Sequence, residues 1–183
     1  MRFHPTPLAG LWLIETEPRG DARGHLTRLF CEREFAAIRP GLHFTQSNLT
    51  LTAQRGTVRG MHYQRAPALE AKLLRCLVGA VHDVVVDLRA SSPTFGRWHA
   101  VELSQDNQRQ LLIPEGCAHG FQTLTDGVQM LYQHTAAYDP GCEGGLRHDD
   151  PRLAIAWPLP VSLVSERDRG HPLLDDSFKG LPV

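Results

Sequence analysis

Apolar and polar residues alternate along most of the chain with the two-residue period of half-buried strands, and helical periodicity is scarce. The alternation predicts strands at Leu11–Glu15, Leu26–Cys31, His43–Leu51, Thr57–Gln64 and Lys72–Val78. It predicts further strands at Val81–Leu88, His99–Ser104, Gln110–Ile113, Ala118–Leu124 and Val128–Thr135. Only Glu32–Ile38 reads as helix, and only for a turn or two. Turn-forming residues punctuate the runs at Arg19-Gly20-Asp21, Pro40-Gly41, Ser91-Ser92-Pro93, Pro114-Glu115-Gly116 and Asp126-Gly127. Many short strands without long intervening helices describe an all-β chain, an antiparallel sandwich or barrel. The stretch after Pro140, rich in Pro, Asp and Gly, is expected to wrap over the β-core as loops and a short helix.

Strand parity adds a chemical signal. Tyr132 shares a face with Val128, Met130 and His134; Lys72 shares one with Leu74, Cys76 and Val78. Asp83 and Asp87 alternate with Val81 and Val85, and His119 lies with Phe121 and Thr123. Ionisable groups among apolar neighbours are costly to bury alone, so they satisfy one another or line a wet cavity.

The chain has 183 residues, 42% of them hydrophobic, which suffices for one core and predicts a single domain over 1–183. A formal net charge of −1 offers no basic excess for nucleic acid or an anionic membrane. No apolar run approaches the roughly 18 residues of a membrane span. The apolar stretch Leu8–Ile14 runs into Glu15 and Glu17 and reads as a first strand rather than a secretory signal. Cys31, Cys76, Cys117 and Cys142 are widely spaced, as suits reduced thiols in the cytoplasm better than disulfides or zinc.

Three segments carry candidate chemistry. In Arg59-Gly60-Met61-His62, strict alternation puts Arg59 and His62 on opposite faces, and a bulge at Gly60 is what would aim both inward. Alone, the pair reads as an exposed arginine and a core histidine. The spacing from Gly56 to His62, followed by Pro114-x-Gly116-x-x-His119-Gly120-Phe121, resembles the two halves of the cupin signature, found on small barrels that often hold a metal. A metal-binding cupin needs His-x-His and a nearby Glu. Here Gln64 stands two after His62, Glu70 falls too far on, and two histidines do not fill a first-row coordination sphere, so no metal is expected. Leu163-Val164-Ser165-Glu166-Arg167-Asp168 reads locally as a solvated charge run, or as the source of a carboxylate that orients a histidine. The dinucleotide, P-loop and nucleophile-elbow motifs are missing, which favours proton chemistry without a redox cofactor.

Together these segments resemble the dTDP-4-dehydrorhamnose 3,5-epimerase family. The resemblance runs in one order from about Leu11 to Pro172. It includes Asp21-x-Arg23-Gly24, Gln46-x-Asn48, Gly56 to Gln64, Lys72-Leu73, Asp83 to Arg89, Ser92 to Gly96, Ile113 to Phe121, Tyr132-Gln133, Ile155 to Pro158 and Ser165 to Asp168. It implies a cupin-like β jelly roll with a few short helices. It also implies a homodimer in which an arm of one subunit helps to close its neighbour's site. The substrate implied is a nucleotide-diphosphate 4-keto-6-deoxy sugar, whose ketone acidifies the hydrogens at C3 and C5; no cofactor is needed.

By the same resemblance His62 is the base, Asp168 its dyad partner, Lys72 the cation beside the enolate oxygen, and Tyr132 the acid returning a proton on the opposite face. Arg23, Arg59 and Arg167 would grip the diphosphate, with Gln46, Asn48, His119 and Glu143 around nucleotide and sugar and Tyr138 stacking on the base. Strand parity makes Asp83 a support for His119 or His62. The chain departs from the family pattern at His25 and Leu26, where two aromatics are common, at Arg28 and at His148. The segment from Asn48 to Gly56 also looks one residue longer than in some members. None of these touches the four catalytic candidates. The competing readings are a C3-only epimerase, a metal-dependent cupin enzyme and a non-catalytic sugar-nucleotide-binding barrel.

Overall fold

The computed structural model describes residues 1–183 and contains thirteen strands and two one-turn helices. In chain order these begin with β1 (Arg2–Pro5), β2 (Trp12–Glu15), β3 (Arg19–Asp21), β4 (Gly24–Leu26), α1 (Glu32–Phe35), β5 (Gln46–Thr52) and β6 (Val58–Gln64). They continue with β7 (Lys72–Val78), β8 (Ala80–Asp87), β9 (Trp98–Ser104) and β10 (Gln110–Ile113). The last are β11 (Cys117–Thr123), β12 (Val128–His134), β13 (Glu143–Gly145) and α2 (Glu166–Arg169).

Two antiparallel sheets carry the fold. One runs β1-β2-β10-β7-β12-β5 and the other β13-β6-β11-β8-β9, while β3 and β4 form a separate hairpin. Strands distant in sequence are neighbours in both sheets, giving the crossed topology of a jelly roll. Between the sheets lies a core that includes Leu74, Val85, Leu111, Phe121 and Met130. Burying each such side chain contributes roughly 1.5–3 kcal/mol.

The strand β8 is buried on both faces: Val81 and Val85 point into this core, while Val84 and Val86, with Leu88 just past the strand, point outward beneath the C-terminal segment. There Leu146, Leu153, Ile155 and Leu181 cover them, so the tail wraps the β-core as the composition implied. The inward Asp87 is fully buried and accepts hydrogen bonds from the Arg89 guanidinium and from the hydroxyls of Ser92 and Thr94. Those donors outweigh burial and bring its carboxyl down to about 2. No helix is long and apolar enough to cross a membrane.

Several expectations need correction. The predicted strand Leu26–Cys31 ends at Leu26. Phe30 instead packs against Phe35 and Phe44 beside α1, and the Leu29 carbonyl accepts from the Gln110 amide, so this segment's apolar side chains fill a small side core. Arg19-Gly20-Asp21 is a strand rather than a turn, pairing with Gly24–Leu26 around Ala22 and Arg23. The turn or two of helix expected within Glu32–Ile38 is present as one turn, Glu32–Phe35. The edge strand β1 and the glycine-bearing β13 have too few alternating apolar residues to announce themselves.

Candidate active site

A cavity of about 850 Å³ opens at one end of the two sheets, within the range of small-molecule and cofactor pockets. Four strands aim side chains into it by parity: His62 from β6, Lys72 from β7, His119 from β11 and Tyr132 from β12. Arg59 and His62 both reach it, although three positions separate them on one strand. The register of β6 against β11 slips between His119 and Phe121, opposite Gly60, whose φ is +115°. A side chain at Gly60 would collide with the Gly120 backbone, so this bulge requires glycine.

The His62 imidazole donates from Nε2 to Asp168 Oδ1 at 2.8 Å. The other carboxylate oxygen accepts from the Gly60 amide at 3.1 Å, and Ser165 caps α2 by accepting from the Asp168 amide. Burial alone would raise the Asp168 carboxyl, but the bonds from His62 and Gly60 hold it below its ordinary value, keeping it an anion. Asp168 is buried, whereas the His62 side chain remains 33% exposed and faces the cavity.

Across the cavity, Lys72 is buried and its Nζ lies 3.3 Å from the His62 carbonyl and 3.2 Å from Glu70 Oε1. Glu70 also accepts from His134 Nδ1 at 2.7 Å. Burial opposes its ionisation, yet these two partners hold its carboxyl below the usual value. Tyr132 is buried, stacks on His134 at 6.1 Å and meets His119 edge to face at 6.0 Å. Burial, followed by the charge of Asp83, pushes its phenol well up, so it stays protonated through the neutral range. His119 donates to Asp83 at 2.9 Å, so Asp83 supports His119 rather than His62.

At the mouth, the Tyr138 hydroxyl donates to Glu143 at 2.8 Å, and Arg167 pairs with the same carboxylate. Arg59 donates to Thr52 Oγ1 at 2.9 Å. Asn48 lines the wall; Gln46 sits on the rim, bonding Asn48 and the Tyr138 amide. Gln64, at the position where a metal cupin has histidine, spends its amide on the carbonyls of Ala68 and Ala137 and on the Asp139 amide. It ties loops together.

Of the twelve residues singled out from sequence, His62, Lys72, Tyr132, Asp168, Asn48, Arg59, His119, Tyr138, Glu143 and Arg167 line this one cavity, with Gln46 at its edge. Arg23 does not. It sits at the β3–β4 turn, 90% exposed, paired with Asp21. Sequence reasoning missed two residues of this cavity: Glu70, set aside because it falls too far beyond His62 for the cupin pattern, and His134, placed by parity beside Tyr132 but given no role. The pairing of His134 with Lys72 across β12 and β7 was the signal available for the second.

A jelly roll open at one end, with paired ionisable groups facing a nucleotide-sized cavity, is the architecture of the cupin-like sugar-nucleotide epimerases. Residues 5–176 match the family model described as dTDP-4-dehydrorhamnose 3,5-epimerase, and the chain belongs to that family. It is 42% identical to dTDP-4-dehydrorhamnose 3,5-epimerase of Sinorhizobium fredii over 95% of this chain and 90% of that protein. It is 40% identical to dTDP-4-dehydrorhamnose 3-epimerase of Streptomyces niveus, covering 97% of this chain and 86% of the relative. Its fold superposes with a TM-score of 0.91 on the dTDP-6-deoxy-D-glucose-3,5-epimerase of Legionella pneumophila, solved in complex with dTDP-4-keto-L-rhamnose. That likeness covers 100% of this chain and 98% of the other, at 36% identity.

Proposed function

We propose that this chain is a cofactor-independent isomerase that epimerises a dTDP-linked 4-keto-6-deoxy sugar at C3 and C5, as in the formation of dTDP-4-dehydrorhamnose. The observation that carries the reading is the His62–Asp168 pair, with its imidazole turned to a cavity that Lys72 and Tyr132 also line.

In this mechanism His62 takes the proton from the carbon beside the ketone, and the C–H electron pair moves onto the ketone oxygen as an enolate. The anionic Asp168 stabilises the imidazolium so formed, and the Lys72 ammonium stabilises the enolate oxygen. Tyr132, kept protonated by its burial, returns a proton to the opposite face of the carbon. Arg59 and Arg167 bind the diphosphate, with Tyr138 against the base, while Asn48, Gln46, His119 and Glu143 orient nucleotide and sugar. The exposed Arg23 hairpin is the arm that each subunit of a homodimer lends to its neighbour's cavity. Residues 1–183 act as one domain in the cytoplasm, where the four free cysteines stay reduced.

Incubation with substrate in heavy water tests the reading. Proton NMR of the product should show deuterium at both C3 and C5. Label at C3 alone would make it a 3-epimerase, and no label would remove the base from the mechanism.

A further inference from the structure

We propose that His62, Asp168 and His171 together form a site for a divalent transition cation such as Zn2+, and that an ion seated there silences the base. One ligating atom from each of these side chains lies within 4.8 Å of the others. His62 Nε2 and Asp168 Oδ1 already meet at 2.8 Å, and the His171 ring stands edge to face with His62 at 5.9 Å. Zinc holds nitrogen and oxygen ligands at about 2.0–2.2 Å, which sets neighbouring donors roughly 3.3–3.6 Å apart in a tetrahedron. One pair here is tighter than that and the others are at most somewhat wider, so side-chain rotations suffice to close the set.

A second observation points to a ligand. His171 Nε2 is buried and has no hydrogen-bond partner, whereas the imidazole nitrogens that bind Asp168, Asp83 and Glu70 are all satisfied. The tail has made room for that ring: a Cβ on Gly145 in β13 would run into it. Two imidazoles and a carboxylate are a donor set for zinc with one position left open, here toward the cavity. Arg167, the cation next to Asp168 in sequence, is already paired with Glu143. The site does not use His119 and Gln64, so it is not the centre that the cupin signature would supply.

The consequence for the base follows from proton bookkeeping. In the metal-free dyad the Nε2 proton faces Asp168 and Nδ1 carries the free lone pair. A cation on Nε2 displaces that proton, which moves to Nδ1; a cation on Nδ1 takes the lone pair directly. In either case His62 has no lone pair left for a carbon-bound hydrogen. This second half rests on the proposed role of His62; the binding site does not.

Titration of the full chain with Co2+, read by its visible absorption, and with Zn2+, read against a chromophoric chelator, tests the site without reference to turnover. One ion per chain is expected. His171→Ala and the bulkier His171→Gln should each weaken binding by at least about tenfold while keeping their metal-free activity. No bound ion, or equal affinity in both variants, overturns the site. In the heavy-water exchange assay, Zn2+ should suppress exchange in the native chain at concentrations that spare the His171 variants; binding without suppression overturns the silencing. An absence of exchange in metal-free native protein would instead refute the epimerase reading, and the Co2+ spectrum would still judge the site.

Discussion

Of the three histidine–carboxylate pairs at the cavity, the two not shared with Lys72 have nearly the same bond length, yet they are built differently. His62 meets Asp168 at 2.8 Å with its ring 33% exposed. His119 meets Asp83 at 2.9 Å with its side chain only 5% exposed and the carboxylate wholly buried. Asp83 turns both oxygens toward its histidine, whereas Asp168 divides its oxygens between His62 and the Gly60 amide. Asp83 also belongs to the middle of β8, while Asp168 arrives on a one-turn helix packed from outside. A bond between imidazole and carboxylate therefore does not identify a base. What separates the pairs is whether the ring still offers a face to the cavity, which is why His62 rather than His119 is the proposed base.

The largest expected effect comes from removing the open ring. His62→Ala should lower kcat by roughly 10²–10⁴-fold and abolish solvent exchange, with nucleotide binding kept. Steady-state kinetics and calorimetric binding check this, and retained exchange would transfer the role to another group.

Removing the carboxylates should divide the pairs more sharply. Asp168→Asn leaves the imidazolium without its counter-charge and should lower kcat by about 10²-fold with little change in melting temperature. Asp83→Asn takes the partner from a buried ring and should lower unfolding free energy by about 1–3 kcal/mol, read by chemical denaturation. If the two variants behave alike, the distinction fails.

The smallest effect concerns pH. Burial lowers the His82, His99, His148 and His171 imidazoles below their ordinary 6.5. A group with a depressed native pKa binds its proton first in the unfolded chain. Its stabilising contribution is therefore whole above about 6.5 and declines as pH falls below it. Thermal melting followed downward from neutral pH should show a progressive loss, blunted by His82→Phe.

Strand parity alone made much of this legible. The alternation in Val128–His134 put Tyr132 inward, that in Lys72–Val78 put a lysine on the apolar side, and β8 split its aspartates from its outer valines as the core clusters require. The reach of Arg59 beside His62 needed a bulge, and glycine at position 60 was the sign of it. Loops were opaque because no repeat fixes where a loop side chain points. Glu70 looked too distant to matter, yet it bridges Lys72 and His134. His171 carried no local sign at all. Leu26–Cys31 had strand composition, but its aromatic neighbours offered better burial than a ladder would have.

The carboxylate of the open pair follows its imidazole by 106 positions in the chain. In order of synthesis, both partners of every other ion pair facing this cavity precede position 168, Arg167 by a single residue. A polypeptide that stops short of position 168 can thus carry every strand of the fold and still lack the carboxylate proposed to make its imidazole a base. In the proposed mechanism the charge that completes the base is added after every strand of the fold.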